Sequence, residues 1–411
     1  MTRLLSWQTM AWVSGGRWVM GGHEWHGRMA LCTAAAPPSS IPSRCPRCRP
    51  TSPPPMLRPV LLEKWVVAGG EEGEEGEEGG LDDSVHVFTA HTSSVYAVAC
   101  SPLAGGRVAS GGGDDVAYLW TIGHADDPIK LEGHGDSVAA VEFSTDGRWL
   151  ATAGMDGVVM LWDAATGDRR HRLEGPGEAI EFLTWHPRGA VVLAGSEDLT
   201  AWMWNAETGA CMAVFTGHSA GVTCGAFSPD GRAVWTGSTD GSVRCWDPRS
   251  AATTATLQGP LFHSDAITCL AMAPQGAVGA AGSADHTTAL FGLHQPKVLG
   301  KLEGHTDSVE AVVFNPLPLN PHSPPPLSPL SYAMLATAWQ DGVVQMLWAP
   351  AAPVLVTAMA DGAVHVWDAR TGAIQKTLRG NRHAVLSLSL TPDGAFAVTG
   401  SDDHTARVFQ L

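Results

Sequence analysis

Apolar and polar residues alternate along this chain in short stretches that recur at a nearly constant interval. Residues 137–143 alternate with a period of two, which predicts a half-buried strand. The turn residues Thr145-Asp146-Gly147 follow, and further strands are predicted over 149–154 and 158–162. A weaker fourth strand leads through Arg172 and Leu173. Each repeat is therefore predicted to form a small four-stranded sheet.

The interval is set by a column of aspartates, most of which are 42 residues from the next. The column comprises Asp114, Asp156, Asp198, Asp240, Asp285, Asp361 and Asp403. Six residues after each stands an aromatic residue: Trp120, Trp162, Trp204, Trp246, Phe291, Trp367 and Phe409. A period of 40–45 residues with Gly-His and Trp-Asp markers is typical of WD40 blades. Because one such sheet cannot bury both of its faces, we predict an all-β WD40 propeller of eight repeats over residues 84–411, after a leader of residues 1–83.

The marker residues have a structural explanation that competes with a catalytic one. The blades of WD40 propellers, which these repeats resemble, contain a hydrogen-bonded tetrad of His, Ser or Thr, Asp and Trp. Three repeats carry the full set: His91/Ser110/Asp114/Trp120, His134/Thr152/Asp156/Trp162 and His218/Thr236/Asp240/Trp246. The Ser-His-Asp combination could suggest a nucleophile. Its recurrence in several repeats argues against a single active site, so we expect a scaffold, no enzyme and no cofactor.

Repeat six breaks the period. In repeat two, Asp156 follows the end of the first strand, Phe143, by 13 residues, whereas Asp341 follows the equivalent Phe314 by 27. The extra residues are rich in proline over Pro316–Ser331, which predicts an exposed loop. Only 20 residues then separate Asp341 from Asp361. The stretch 343–348 cannot be both the third strand of one blade and the first strand of the next. About two strands are missing, so we predict seven or eight blades with the sixth incomplete.

A lone alternating stretch, Val85–Phe88, precedes repeat one, and the chain ends directly after a predicted third strand. The last blade therefore lacks an outer strand of its own. We predict that the N-terminal stretch supplies this strand and closes the ring.

The first 60 residues, with seven Arg and one Glu, differ from the rest of the chain. One interpretation is an organelle transit peptide; the other is a disordered leader or a start placed upstream of the natural one, and we favour the second. Cys45 and Cys48 have the spacing of half a zinc site, but no second pair accompanies them, so no metal is predicted. The scattered cysteines suggest a reducing compartment, and we expect the cytoplasm, with the nucleus left open.

The net charge narrows the class of partner. The whole chain carries −16, and an acidic run, Glu71–Glu78, precedes the first repeat. Phosphate binding needs a basic surface, so direct binding to nucleic acid and to anionic membranes is disfavoured. A basic protein partner is expected, although the charge could serve solubility alone.

Four carboxylates stand two positions before the residue that opens a first strand: Asp136, Glu178, Asp265 and Asp307. This column is expected on the face that carries the loops leading into each blade. Glu197 and Asp402, each just before a tetrad aspartate, are expected on the same face. All six are candidate partner-binding residues. Aspartate at this place can also cap a local turn.

Several phrases resemble the family of the angio-associated migratory cell protein. They include Trp185-His186-Pro187-Arg188, Trp202-Met203-Trp204 and the stretch from Val366-Trp367-Asp368 to Gly372, and the resemblance covers roughly residues 70–411. It implies an eight-repeat propeller and a cytoplasmic protein associated with cell migration in animals. Its fungal relatives resemble chaperones that hold a basic ribosomal protein during large-subunit assembly. The proline-rich insertion and the missing strands depart from that family.

Two functions from different classes follow. The first is a non-enzymatic scaffold or chaperone whose acidic face holds a basic protein. The second is a substrate receptor of a cullin-type ubiquitin ligase. Trp246-Asp247-Pro248-Arg249 and Trp367-Asp368-Ala369-Arg370 resemble the motif by which WD40 receptors bind the ligase adaptor. Neither the client nor the oligomeric state follows from the sequence.

Overall fold

A computed structural model describes residues 82–316, 342–350, 352–369 and 371–411, together with the backbone of five short strands elsewhere. Those strands are β1 (Ala11–Val13), β2 (Arg17–Met20), β3 (His23–Glu24), β4 (Lys64–Val67) and β27 (Leu335–Trp339). Four predictions lie outside the described residues: the Cys45/Cys48 pair, the acidic run 71–78, most of the proline-rich insertion, and Asp341.

Every repeat begins with a strand that lies at the centre of the ring. These first strands are β6 (Val95–Cys100), β10 (Val138–Phe143), β14 (Ile180–Trp185), β18 (Val222–Phe227), β22 (Ile267–Met272), β26 (Val309–Phe314), β28 (Val343–Trp348) and β32 (Val385–Leu390). The period-two pattern of residues 137–143 thus corresponds to a strand, as predicted.

The next two strands of each repeat pair outward from the first. The second strands are β7 (Arg107–Gly112), β11 (Trp149–Gly154), β15 (Val191–Ser196), β19 (Val234–Ser238), β23 (Val278–Ser283), β27, β29 (Val354–Met359) and β33 (Phe396–Ser401). The third strands are β8 (Ala117–Thr121), β12 (Val159–Asp163), β16 (Thr200–Asn205), β20 (Val243–Trp246), β24 (Thr288–Gly292), β30 (Val364–Asp368) and β34 (Ala406–Gln410).

The fourth, outermost strands are the most exposed. They are β9 (His124–Leu131), β13 (Arg169–Leu173), β17 (Cys211–Thr216), β21 (Thr253–Leu257), β25 (Val298–Leu302), β31 (Ala373–Leu378) and β5 (Ser84–Phe88). Within the described residues, seven sheets have four antiparallel strands in the order first to fourth, and they form a seven-bladed β-propeller. We number the blades 1–5, 7 and 8 after their repeats.

The sixth position of the ring holds an incomplete sheet. β26 and β27 form an antiparallel pair, and β28, which the sequence could have placed in either repeat, pairs with β29 as the first strand of blade 7. The prediction that repeat six lacks strands is therefore confirmed. The free side of β27 pairs with β4, and this pairing is parallel, unlike that of the third strands of the seven blades.

The core is divided among the spaces between neighbouring sheets. In the described part of the chain, eight hydrophobic clusters each combine residues of two successive ring positions. One of them joins blade 2 to blade 3 through Leu161, Trp185 and Trp204, which are almost fully buried. Each sheet therefore covers the apolar face of the next one, as expected when no sheet can bury both faces alone.

The two ends of the propeller meet in blade 8. β5 pairs antiparallel with β34, with Phe88 opposite Ala406 and Ser84 opposite Phe409. This confirms the prediction that the N-terminal stretch supplies the outer strand of the last blade. Asp83 fastens the start of this strand to blade 7, because its backbone N–H donates to Arg379 O (2.8 Å) and its carboxylate accepts from Arg379 N (2.9 Å).

The chain divides into two compact units, residues 1–58 and 59–411. In the first unit, β1, β2 and β3 form a three-stranded antiparallel sheet. The boundary that we predict after residue 83, and the lack of fixed structure expected before it, stay predictions.

Candidate functional site

The recurring spacing of His, hydroxyl, Asp and Trp produces a chain of hydrogen bonds inside a blade. In blade 2, the Trp162 indole Nε1 donates to Thr152 Oγ1 (3.0 Å), and that oxygen lies 2.8 Å from His134 Nε2. The other ring nitrogen, His134 Nδ1, lies 3.3 Å from the Asp156 carboxylate. Blade 1 repeats this chain with His91, Ser110, Asp114 and Trp120, and blade 4 repeats it with His218, Thr236, Asp240 and Trp246.

Proton positions along this chain follow from which groups can donate. The indole N–H occupies one lone pair of the Thr152 oxygen, so the hydroxyl proton is free to point to His134 Nε2. His134 Nδ1–H then donates to Asp156, and every polar atom has a partner while the ring is neutral. Burial lowers the pKa of His134 against the opposing effect of Asp156, which favours the neutral ring.

The carboxylates of these tetrads are held ionised. Burial alone would raise the pKa of Asp240, but hydrogen bonds from the Ser242 hydroxyl and from the backbone of Ser219 and Ser242 lower it to about 2. The backbone N–H of the residue after the histidine also reaches the carboxylate in blades 1 and 2, from Thr92 and Gly135. Each aspartate thus fixes the loop that leads into its blade.

The tetrads do not form a usable nucleophilic site. The hydroxyl residues Ser110, Thr152 and Thr236 are all completely buried, so a substrate cannot reach them. Each hydroxyl oxygen also accepts an indole N–H. The tetrads therefore have the structural role expected from the sequence: each is an inaccessible polar network that fixes loops and strands.

Blades 3, 5 and 8 lack the complete tetrad but keep an aspartate that accepts a backbone N–H of the loop leading into the blade; in blade 8, Arg382 N donates to Asp403 (2.9 Å). Blade 5 is not among the three tetrads predicted from the sequence. Its His263 Nδ1 lies 3.1 Å from the Asp285 carboxylate, and Lys301 Nζ forms an ion pair with the same carboxylate at 3.0 Å. His263 follows Phe262 rather than a glycine, so the Gly-His marker does not identify it in the sequence. In blade 3, Gly177 N donates to Asp198 (2.8 Å), and the Trp202 ring packs against Gly175.

All six candidate partner-binding carboxylates are exposed and lie at one end of the blades. We call this end the upper face; it comprises the loops from each fourth strand to the next first strand and the turns between second and third strands. Asp136, Glu178, Asp265 and Asp307 lie in the loops, whereas Glu197 and Asp402 lie in the turns.

A recurring hydrogen bond brings these loops and turns together. In blade 3, Glu197 N donates to Ala179 O (3.0 Å), which places the turn carboxylate of Glu197 beside the loop that carries Glu178. The same bond joins Asp402 N to Ala384 O (3.0 Å) in blade 8. Glu197 also contacts blade 4, since a Cβ added at Gly221 would lie 3.3 Å from Glu197 Cα.

The local contacts of the carboxylates differ. Asp136, Asp265 and Asp307 each accept the backbone N–H of the next residue at 2.7–2.8 Å, as expected for an aspartate that caps a turn. Asp402 instead accepts from the Ser94 hydroxyl of blade 1. The carboxyl group of Glu181 lies beside that of Glu197. Partial burial and the neighbouring Glu197 together raise the pKa of Glu181.

The column of carboxylates is not continuous around the ring. The position of Asp136 is taken by Ser93 in blade 1, Ala220 in blade 4 and His383 in blade 8. Arg382, beside His383, is exposed on the same face. Negative charge is therefore concentrated on the upper face of blades 2 and 3 and around the loops of Asp265 and Asp307.

Comparison with known sequences supports the repeat assignment. The family described as WD domain, G-beta repeat, matches residues 82–121, 128–163, 167–205, 209–247 and 372–410. Each matched stretch comprises all or part of the outermost strand of one blade and the first three strands of the next. The described residues form a seven-bladed β-propeller with WD40 repeats.

Similarity between this WD40 propeller and curated relatives is confined to short stretches. The human angio-associated migratory cell protein is 43% identical over 70 residues, which are 17% of this chain and 16% of the relative. An uncharacterized WD repeat-containing protein of Schizosaccharomyces pombe is 41% identical over 71 residues, 17% of this chain and 18% of the relative. Eukaryotic translation initiation factor 3 subunit I of Bombyx mori is 33% identical over 67 residues, 16% of this chain and 20% of the relative. The matches thus span at most about a fifth of these relatives.

The opposite end of the propeller has a different charge pattern. This lower face comprises the turns between first and second strands and between third and fourth strands. Its exposed side chains have both signs: Asp146, Asp168, Glu207 and Asp393, and Arg148, Arg188, Arg232 and Arg249. The two faces of the WD40 propeller are therefore electrostatically distinct. No helix in the described part of the chain is long and apolar enough to span a membrane.

Proposed function

We propose that this propeller is a non-enzymatic scaffold or chaperone that holds a basic segment of a protein client on its upper face. The observation that carries the proposal is the position of Asp136, Glu178, Glu197, Asp265, Asp307 and Asp402. All are exposed, and all lie in the loops and turns of one face. A field of one sign on one face attracts a ligand of the opposite sign and raises its association rate.

The scaffold beneath these carboxylates supports such a role. The loops that carry Asp136, Glu178 and Asp265 are held by backbone N–H bonds to the carboxylates of Asp156, Asp198 and Asp285, so these charged side chains stand on fixed positions. A preorganised face loses less conformational entropy when a partner binds. A Lys or Arg side chain placed between Glu181 and Glu197 would relieve the repulsion of this like-charged pair, which supports placing the centre of the proposed surface at blade 3.

The client that fits this proposal is a ribosomal protein bound during assembly of the large subunit. Ribosomal proteins of this kind carry basic segments, and the family that the sequence resembles includes chaperones for one of them. We further propose a cytoplasmic location, with the nucleus as a second one. Cys100, Cys211, Cys224, Cys245 and Cys269 are free thiols, which suits a reducing compartment.

One feature of the lower face favours the second candidate, a substrate receptor of a cullin-type ubiquitin ligase. Arg249, which ends the Trp-Asp-Pro-Arg phrase of blade 4, is exposed, while its backbone N–H donates to the Asp247 carboxylate (3.0 Å). Arg370, which ends the second such phrase, lies outside the described residues. A receptor would bind the ligase adaptor through this lower face.

A pull-down at two ionic strengths distinguishes the two functions. A client held by exposed charge pairs should be recovered at 50 mM salt and largely lost at 500 mM, because the Debye length falls from about 14 Å to about 4 Å. An adaptor that buries an apolar helix should remain at both. Recovery of a ligase adaptor at high salt, with no basic protein at low salt, would overturn the scaffold proposal.

A further inference from the structure

The lower face contains a cavity of about 750 Å³ where blades 3, 4 and 5 meet. Its lining includes Arg188 from blade 3, the turn Ser228–Ala233 of blade 4, and Gln275 and His294 from blade 5. This volume is within the range of small-ligand sites, roughly 300–1,000 Å³. The residues of the acidic upper face do not line it.

Arg188, the last residue of the Trp185-His186-Pro187-Arg188 phrase, lines this cavity, and His186 fixes the turn that carries it. Arg188 N donates to His186 Nδ1 (3.1 Å), so the other ring nitrogen, Nε2, carries the proton and donates to Gly231 O of blade 4 (3.2 Å). The His186 ring also packs edge-on against Phe227, with centroids 5.0 Å apart. These contacts hold the turn of blade 3 across the boundary between the blades.

Glycine at position 231 is required for this contact. Gly231 has φ of +71°, and a Cβ added there would lie 2.2 Å from His186 Nε2. The close approach lets the Arg188 guanidinium donate through Nη2 to Asp230 O. Arg188 is therefore fixed in place at the cavity, with the rest of its guanidinium available to a ligand.

The cavity has an excess of positive charge. Asp230 is the acidic residue of its lining, and its carboxylate already accepts from Ser228 Oγ (2.6 Å) and from Arg232 N (3.1 Å). The hydrogen bond from Ser228, followed by that from Arg232 N, lowers the pKa of Asp230. The Arg232 side chain is 87% exposed and 3.9 Å from this carboxylate, so it is held weakly and can turn to another anion.

The geometry points to a site for a phosphorylated segment of a partner protein, whose phosphate is bound by the guanidinium groups of Arg188 and Arg232. Two guanidinium groups bind the oxygens of a phosphate bidentately, which an ammonium group cannot do. His294 also lines the cavity and is exposed, so we assign it as a further donor to the same phosphate. First strands of six residues separate the faces by roughly 20 Å, more than twice the Debye length of about 8 Å at physiological salt, so the upper carboxylates repel the ligand little.

The test uses a fluorescent peptide with one phosphoserine in neutral flanks, measured by fluorescence anisotropy at 150 mM salt. Wild-type protein should bind it and should fail to bind the unphosphorylated peptide. The double substitution Arg188→Gln with Arg232→Gln should weaken binding at least tenfold. His186→Ala keeps both arginines but should also weaken binding, because it releases the turn that positions Arg188.

Arg148→Gln is the matched control. Arg148 occupies the equivalent turn of blade 2, where Asp146 accepts from Ser144 Oγ (2.6 Å) and from Arg148 N (3.1 Å), but it does not line this cavity. This variant should bind within twofold of wild type. Equal losses in the control and the double variant, or no binding by the wild-type protein, would overturn the proposal.

Two further arms complete the test. Inorganic phosphate should displace the peptide only at much higher concentration; displacement at equal concentration would assign the site to the free anion and refute a peptide site. If the double variant loses its thermal transition, Arg232→Gln alone replaces it, since this side chain is exposed and only weakly paired. Unchanged binding by a folded Arg232→Gln variant would refute the role of the cavity.

Discussion

The strand that closes the ring offers a quantitative test of the architecture. Phe88 lies at the end of β5 and is only 8% exposed. Its ring stacks on Trp120 of blade 1, with centroids 4.8 Å apart and planes at 3°, and meets Tyr118 edge-on at 5.5 Å. Phe88 therefore joins the N-terminal strand both to blade 8, by backbone pairing, and to blade 1, by its side chain.

Replacing Phe88 by Ala should lower the free energy of unfolding by about 3–5 kcal/mol, the usual range for a buried Phe. A propeller of about 330 residues has an unfolding entropy of roughly 0.7 kcal/mol/K, so the melting temperature should fall by about 4–7 °C. Differential scanning calorimetry measures this directly. Val85→Ala, on the same strand but 54% exposed, is the control and should change the melting temperature little.

Deleting residues 84–89 should destabilise the protein more than Phe88→Ala does. The deletion also removes the backbone partner of β34 and leaves an open sheet edge. Equal melting temperatures for Phe88→Ala and Val85→Ala, or an unchanged value after the deletion, would refute closure through this strand.

Three further predictions concern single side chains. Thr152→Val keeps the shape of the side chain but leaves Trp162 Nε1 and His134 Nε2 without their partner. The free energy of unfolding, measured in urea, should fall by about 1–3 kcal/mol for each group. A total loss below about 0.5 kcal/mol would contradict the tetrad account. Leu199 is exposed and has φ of +74°, so Leu199→Gly should raise the free energy of unfolding by about 1–2 kcal/mol, and a decrease in the same assay would show that the backbone there is not strained. Burial raises the pKa of Glu142 to about 8, and its Oε2 has no hydrogen-bond partner among the described residues. Because this pKa is raised, the stability of the wild-type protein is fully present below the unfolded-state value near 4.5 and is lost as pH rises through about 8. Glu142→Gln should therefore be more stable than wild type at pH 9 but not at pH 4. Equal stability differences at the two pH values would refute this.

The fold could be predicted from the sequence because each blade repeats the same local pattern. In blade 2, the first strand ends at Phe143, as the alternation over residues 137–143 predicts, and the second strand has the predicted bounds Trp149–Gly154. The closing strand was also predictable, since a ring with one strand missing at its end needs a partner from elsewhere. The third strand of the sixth sheet, β4, was not predictable, because it lies in a segment without a repeat pattern.

The candidate site was predictable only in part. The upper-face carboxylates could be placed because their distance from the first strand fixes the end of the blade on which they lie. The Glu181–Glu197 pair and the arginine-lined cavity could not be placed in this way, because each depends on contacts between residues of different strands or blades. Arg188 and Arg232 are 44 residues apart in the sequence and meet only when the blades pack together.

The central claim, that the upper face holds a basic client, is tested most directly by binding kinetics. The variant changes Asp136, Asp265 and Asp307 to Asn and Glu178 to Gln; Asn can still accept the backbone hydrogen bond of each turn, so only charge is lost. The control changes four exposed lower-face carboxylates in the same way: Asp146, Asp168, Glu207 and Asp393. Both variants change the net charge equally.

The measurement is the association rate of a Lys/Arg-rich 20-residue peptide at 50 mM salt, by surface plasmon resonance with folded protein. At roughly 0.5 kcal/mol for each exposed charge, the upper-face variant should bind about one to two orders of magnitude more weakly. Most of this loss should appear in the association rate and should shrink as salt rises. The account predicts that the lower-face control binds nearly as well as wild type; equal binding by the two variants would contradict it.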